Sequence, residues 1–483
     1  MTVEDRLATL GHLIDGRIVR NDRTFPEHDP STGKVFAQCP EATDELLAEA
    51  VGAAKRAARD WAARDIAERQ RVIAAMAAAL DEHIGEIVAI STLEKGSARG
   101  SAEAYAASYF MKHTATTEIP VDVLEDNEQR SVTVVRKPVG VVAAIAPWNA
   151  PVLILSEKIA TALLVGNTVV AKPSPFTSLA TLALGELWRD IVPPGVLNIL
   201  AGGDALGAAL VDHPGVGMIS FTGSVTAGRH IAKAAGAGLK HVLLELGGND
   251  AAIVLPDVDV DTVAEQIFNV AFLMSGQTCA AIKRLYVHRS IFDPMVAAIG
   301  RLAEAAAPGH DGVDGALDPL TTRPQYERVR MILDDAVEHG ARVVAGGHPL
   351  DRDGYFVAAT VFAGVTEEMK VVAEEQFGPL LPVIPYDDVE DAIAAANATE
   401  FGLCGSIWTS DIARGTELAA RLECGTALVN SHADVAPHIP FGGAKHSGIG
   451  RSGGQQGIDA YAELQTRYVY KSPERVRPAA EKV

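Results

Sequence analysis

Between about Val141 and Val254 the chain repeats one pattern, a short uninterrupted apolar run followed by a helical segment. The runs are Val141 to Ile145, Thr168 to Ala171, Val196 to Leu200 and Met218 to Phe221. A strand without polar alternation must be covered on both faces, and the intervening helices supply that cover, so the pattern predicts a parallel βαβ sheet. A second alternation follows, with a helix near Asp259 to Met274, strands near Arg284 to His288 and Leu381 to Pro385, and a helix near Val389 to Asn397. Since 483 residues exceed what one hydrophobic core organises, a second α/β domain is expected to begin close to Gly247. The expected fold class is therefore α/β, with two Rossmann-like, doubly wound parallel-sheet domains.

The flanks are plainer. Asp29-Pro30-Ser31-Thr32-Gly33 reads as a turn, and Thr43 to Leu80 as alanine-rich helix with charge on its outer face. Ser131 to Lys137 alternates like an exposed ribbon, and Thr466 to Tyr470 is a second strand that could pair with it or with another subunit. The charged tail from Ser472 to Val483 is expected to fray. A net charge of −20 repels phosphate backbones, which argues against nucleic-acid binding and leaves a small molecule as partner. Charge interrupts every apolar stretch, so no membrane span is expected, and the acidic N-terminus lacks a signal pattern. Cys39, Cys279, Cys404 and Cys424 lie far apart with no CxxC pair, which fits neither a disulfide framework nor a zinc site. The expectation is a cytoplasmic protein without a metal.

Three residues carry candidate chemistry. Cys279 follows a Gly-Gln-Thr turn after an apolar helix, where an exposed and activated thiol can sit. Glu245 ends the apolar run Val242-Leu243-Leu244, and burial there would raise its pKa and suit a general base. Asn149 offers an amide donor between Trp148 and Ala150. Singly, each has a blander explanation as a buried thiol, a strand-end charge or a turn residue. Jointly they are a nucleophile, a base and an oxyanion donor, the parts needed for covalent chemistry on a carbonyl.

Their contexts resemble the aldehyde dehydrogenase superfamily, from about Ile14-Asp15-Gly16 to Tyr470. The resemblance rests on Pro147-Trp148-Asn149, Gly166-Asn167-Thr168, Phe221-Thr222-Gly223-Ser224, Leu244-Glu245-Leu246-Gly247-Gly248, Gly276-Gln277-Thr278-Cys279, Glu374-Glu375-Gln376-Phe377-Gly378-Pro379 and Pro440-Phe441-Gly442-Gly443, in family order. It implies that Cys279 attacks an aldehyde, that Asn149 and the Cys279 N–H hold the oxyanion, and that Glu245 activates the water that hydrolyses the thioester. Lys158 matches a family lysine linked to proton movement. The chain departs from the pattern at Ser452, where many members place a glutamate after Gly450-Arg451.

No G-x-G-x-x-G fingerprint opens a helix here. The resemblance instead puts a pyrophosphate at Phe221, Gly223 and Ser224 before a helix near Thr226, an adenosine ribose at Lys172, and a nicotinamide ribose at Glu375 beside Phe377. Trp148, Ser174, Pro175 and Leu246 complete the expected cofactor contacts. Pro175 stands where NAD-preferring relatives commonly carry a glutamate, so NAD is expected with NADP left open.

The resemblance assigns the substrate walls to Ala150, Leu153, Ile154, Glu157, Leu273, Thr278, Ala280, Val435 and Phe441, mostly small or apolar. Glu157 either selects a polar or cationic group or faces solvent at the mouth, with the second favoured. The implied organisation is a dinucleotide-binding domain over residues 1–120 and 140–246 and a catalytic domain over 247–450. A β oligomerisation ribbon and tail would occupy 121–139 and 451–483, and the assembly would be a homodimer or homotetramer. The implied activity is NAD(P)-dependent oxidation of an aldehyde to its acid. The alternatives are a CoA-acylating enzyme, a cofactor-free thioester hydrolase, and a catalytically silent binding protein on the same fold.

Overall fold

In a computed structural model that describes residues 3–97, 100–308 and 317–472, the two alternations form two separate sheets. The first has eight strands. Its parallel centre runs in the spatial order His241–Glu245, Met218–Thr222, Val141–Ile145, Thr168–Lys172, Leu197–Ile199. Antiparallel strands extend both edges, Gly448–Ile449 on one side and His12–Ile14 with Arg17–Val19 on the other. Alternate residues of one strand feed two cores. Val142 and Ala144 pack with Trp61, Leu163 and Trp188, whereas Val141, Ala143 and Ile145 pack with Leu47, Val51 and Leu244. Both faces being covered is the reason no polar residue interrupts the run.

The second sheet has seven strands, ordered Arg342–Ala345, Thr360–Ala363, Leu380–Tyr386, Ile282–His288, Asp250–Val254, Cys404–Trp408, Thr426–Val429. All its pairings are parallel except the first. It too is buried on both sides, with Ala252 and Val254 against Ile267 and Met295, and Ala251 and Ile253 against Ile393 and Leu418. The strand Ala462–Tyr470 pairs antiparallel with Arg130–Pro138, which in turn pairs with Asp122–Asp126. The two expected ribbon strands therefore pair with each other. The tail beyond Ser472 lies outside the described residues.

Two local expectations fail for physical reasons. The alanine-rich stretch from Thr43 to Leu80 is two helices, Asp44–Ala63 and Ile66–Glu82, because Arg64 is extended and the Asp65 carboxylate accepts the Glu68 N–H at 2.7 Å as a new N-cap. The helix expected to reach Met274 ends at Ala271, and Leu273–Gly276 then forms a tight turn with Met274 and Ser275 at φ 52° and 53°. Two consecutive left-handed residues other than glycine cost energy that the surrounding packing must offset, and such backbone concentrates at functional sites.

In the first sheet the chain leaves Val141–Ile145 in one direction and returns to Met218–Thr222 on the other side. Ligands of open α/β sheets bind beside such a reversal, at the carboxyl ends of the strands.

A helical layer braces that end with buried acids. Glu94 is fully buried and accepts the Leu179 and Ala180 N–H groups at the start of helix Leu179–Trp188, while the equally buried Glu27 accepts the Ser178 N–H at 3.3 Å. Burial raises the pKa of both carboxyls, and the charge of Glu94 raises Glu27 further. A raised carboxyl keeps its proton in the native state while the unfolded chain loses it, so the stability it contributes is present at acid pH and fades as pH rises through the folded pKa. Glu94→Gln should therefore flatten the fall of the melting temperature between pH 6 and 9 by about 2–4 °C, measurable by calorimetry.

Candidate active site

Asn149 lies directly beyond the strand Val141–Ile145, at the reversal, and Pro151 opens the next helix as its first residue. Glu103 holds that helix start, accepting the Val152 N–H at 2.7 Å and the Leu153 N–H at 3.3 Å, and is itself paired with buried Lys95 at 2.6 Å. Asn149 is thereby fixed and 6% exposed, and its side-chain Nδ2 donates to the Gln277 carbonyl at 2.9 Å. This one bond ties the first sheet to the loop that carries Cys279.

That loop is held on every side. Gly276 has φ +73°, and a Cβ on it would meet the Gly378 carbonyl oxygen at 2.2 Å, so only glycine fits. The Gln277 side chain donates to Met274 and Pro319 carbonyls and accepts the Thr321 N–H at 2.8 Å. Lys283 Nζ donates to the carbonyls of Thr278 at 2.9 Å and Cys279 at 2.7 Å, and stands 3.8 Å from Glu375. Sequence reasoning missed Lys283, although a lysine four residues beyond the thiol was the available signal.

The thiol itself corrects an expectation. An exposed, activated cysteine was anticipated, but Cys279 is half-buried and its pKa is pushed up to about 12. Burial is the main cause, and Asp250, Glu375 and Glu245 add to it against the opposing charge of Lys283. In this state the group is a thiol and needs a base.

Glu245 ends the strand next to the reversal and is 6% exposed. Neither carboxylate oxygen has a hydrogen-bond partner at ordinary geometry; the nearby Ser452 N–H, which favours the anion slightly, is already donated to the Phe441 carbonyl at 2.7 Å. Burial raises the Glu245 pKa to about 8, Glu157 adds to the rise, and Lys158 and Arg451 oppose it. Lys158 is buried and donates to Ser220 Oγ at 3.0 Å, which is 2.7 Å from the Tyr461 hydroxyl. Burial lowers the Lys158 pKa, while Glu157 and Glu245 raise it. Glu157 is half-buried, and burial raises its pKa against the opposing charge of Lys158, so the favoured expectation of a fully solvated acid is not met. Ser220 and Tyr461 were not legible as site residues, because their connection exists only across strands.

Ser224 caps helix Val225–Ala237, accepting the Ala227 N–H at 3.2 Å, one residue earlier than expected from Thr226. Phe221 and Gly223 precede it, and Leu246 packs so closely on that helix that a Cβ on Gly228 would meet it at 2.6 Å. Lys172 is buried, and its ammonium donates to the Pro173 carbonyl at 3.1 Å; burial lowers its pKa to about 8. An ammonium has three hydrogens to place, so this buried site suits an oxygen-rich ligand. Ser174 is occupied locally, its Oγ accepting the Phe176 N–H, and Pro175 is half-buried beside it. Glu375 accepts the Gly248 N–H at 3.0 Å, and a Cβ on Gly247 would meet its Oε2 at 2.2 Å. Phe377 meets Trp148 edge-on, with ring centroids 5.4 Å apart.

Of the substrate candidates, Ala150, Leu153, Ile154, Thr278 and Phe441 are half-buried, and Leu273 and Val435 are exposed. Ala280 is 2% exposed and packs with Leu403 and Cys404, with Cys279 against the same cluster. Among the described residues, no helix is long and apolar enough to cross a membrane, and no group of three His, Cys, Asp or Glu side chains could hold a metal ion.

Residues 18–467 match the family model described as the aldehyde dehydrogenase family. Curated relatives include phenylacetaldehyde dehydrogenase of Pseudomonas fluorescens, 36% identical with 94% of each chain covered. Betaine aldehyde dehydrogenase of Rhizobium etli is also 36% identical, over 96% of this chain and 97% of that one. Among solved structures, the NAD+ complex of aldehyde dehydrogenase from Bacillus cereus superposes with a TM-score of 0.94 at 34% identity, covering 97% of this chain and 98% of that one.

Proposed function

Because this chain belongs to the aldehyde dehydrogenase family, we propose that it oxidises an apolar to mildly polar aldehyde to its carboxylic acid with NAD+, through a thioester on Cys279. The observation that carries this reading is the bond from Asn149 to the Cys279 loop, with unpartnered Glu245 in the same crevice. Lys172, Ser224, Glu375 and Phe377 would hold the dinucleotide, and the buried ammonium of Lys172 and the glycine clearance around Glu375 fit such a ligand. Bound NAD+ supplies the acceptor for the two electrons removed from the substrate carbon.

Glu245 takes the thiol proton as Cys279 Sγ bonds to the aldehyde carbon. The Asn149 amide and the Cys279 N–H hold the resulting oxyanion, a role worth about 2.7–4 kcal/mol per donor. After oxidation the carbon is a thioester. Glu245 gives up the thiol proton before hydrolysis, restoring its carboxylate, and then removes a proton from water as the water oxygen bonds to that carbon, while Cys279 leaves with the sulfur–carbon electrons. Lys158 passes one of its protons toward Ser220 and Tyr461 as it takes up the one Glu245 releases, so its charge is unchanged over the exchange. Ser452 carries no carboxylate for a second relay, which leaves this route to Lys158.

We further propose a cytoplasmic homodimer or homotetramer built on the strands 122–138 and 462–470, where Val123, Leu124, Leu464 and Val469 are exposed. Residues 1–120 and 140–246 would form the dinucleotide-binding domain and 247–450 the catalytic domain. The test of activity is aldehyde-dependent reduction of NAD+ and NADP+ in parallel over aliphatic, aromatic and semialdehyde substrates. Turnover with no aldehyde, in folded protein that binds dinucleotide, would refute it. Asn149→Ala should lower kcat by about 10²–10³ with little change in cofactor affinity.

A further inference from the structure

Beneath the nucleophile lies a polar chain that the proposed reaction does not use. Asp250 begins an interior strand of the second sheet and is 2% exposed. Its Oδ1 accepts the Cys404 N–H at 3.0 Å. A Cβ on Gly248 would meet Asp250 Oδ1 at 2.8 Å and the Cys279 carbonyl oxygen at 2.9 Å, so both oxygens crowd one face of that glycine. His432, whose side chain is fully buried, points Nε2 at Asp250 Oδ2 from 3.6 Å, and neither atom has a hydrogen-bond partner. On the far side of the ring, Nδ1 is 2.8 Å from Ser406 Oγ. Ser406 Oγ already accepts the Trp408 Nε1–H at 2.9 Å, and its own hydrogen is then free for Nδ1. With Ser406 as the donor, Nδ1 accepts and Nε2–H faces the carboxylate, the tautomer that leaves every hydrogen of the chain directed at an acceptor.

We propose that Asp250 and His432 form a buried restraint on the Cys279 thiol, in which the Asp250 carboxylate is held under the nucleophile and His432 is the positioning residue that keeps it there. An anion held in low dielectric opposes formation of a second one nearby. Cys279 is also faced by Lys283, Glu375 and Glu245, of which only Lys283 favours the thiolate. Asp250 acts in the same direction on the thiols of Cys404 and Cys424. The consequence is a nucleophile that stays protonated at rest and depends on Glu245 for activation. His432 lies on the segment that also carries Val435 and Phe441, so the restraint and the proposed substrate wall share one piece of chain.

The inference rests on Cys279 being the nucleophile, but its test reads thiol ionisation and not turnover. The rate of Cys279 alkylation by iodoacetamide is followed against pH in the full-length protein, with the modified site located by mass spectrometry. Asp250→Asn, which can still accept the Cys404 N–H, should lower the midpoint by about one unit, giving roughly tenfold faster alkylation below it. His432→Phe should move the midpoint the same way by freeing the Asp250 carboxylate to turn away from Cys279, and should add nothing in the Asp250→Asn background. An unchanged midpoint in folded Asp250→Asn, or full additivity of the two, would overturn the proposal. If either variant fails to fold, the ¹⁵N imidazole spectrum of the unmodified protein decides: a His432 proton on Nε2 supports the chain, and one on Nδ1 refutes it.

Discussion

Replacing Cys279 by alanine should reduce aldehyde-dependent reduction of NAD+ by about 10⁵–10⁶, to the level of the uncatalysed background. The size follows from the role. Without the sulfur there is no covalent adduct, and the oxyanion donors and the base have nothing to act on together. Cofactor affinity should change less than about threefold, because Lys172, Ser224 and Glu375 are untouched, and the fold should be kept, because Cys279 is only half-buried and its loop is held by Gly276, Gln277 and Lys283. Titration of dinucleotide fluorescence alongside the assay separates the two quantities. Residual turnover within tenfold of the unmodified protein would move the nucleophile elsewhere, and Cys404 is a poor substitute because it is 4% exposed and packed with Ala280 and Leu403.

The parts of this fold that depend on burial were legible in the sequence, because an apolar run covered on both faces looks the same wherever it occurs. Val141–Ile145 and the helix Val389–Asn397 coincide with the runs that suggest them. What could not be read depends on one side chain meeting backbone or another chain segment. Asp65 breaks a stretch with uniform helical periodicity, and Met274 and Ser275 adopt a left-handed turn that no propensity favours. The same division holds in the crevice. Motifs name Asn149, Glu245 and Cys279, each marked by glycine, proline or tryptophan neighbours with steric requirements. Lys283, Ser220 and Tyr461 have no such neighbours, and Asp250 and His432 are 182 positions apart by their numbers while their side chains stand 3.6 Å apart. The thiol differs most from its expectation: a loop position suggests exposure, but burial, and after it three acids, make Cys279 a reluctant anion.

Glu245→Gln should lower steady-state turnover by about 10²–10⁴, the usual weight of a general base, and should do so unevenly across the reaction. Glutamine fills the same space beside Gly442, where a Cβ would already meet Glu245 Oε1 at 2.7 Å, so packing is retained while the proton acceptor is lost. Formation of the thioester can still draw on thiolate at alkaline pH, but its hydrolysis needs a base at the carbonyl. The expected record is therefore one equivalent of reduced cofactor per site followed by a slow phase, with the acyl group found on Cys279 by mass spectrometry. The pH profile gives an independent reading. Because burial lifts Glu245 to about 8, the base is protonated below that value, and kcat of the unmodified enzyme should rise about tenfold per pH unit on the acid side before levelling. That limb should disappear in Glu245→Gln. In Glu157→Gln it should move to lower pH, since the carboxylate that raises Glu245 is gone while Lys158 still favours its anion. A profile that keeps the same limb in Glu245→Gln would assign the titration to another group, and an absent burst would place the lost step before the thioester.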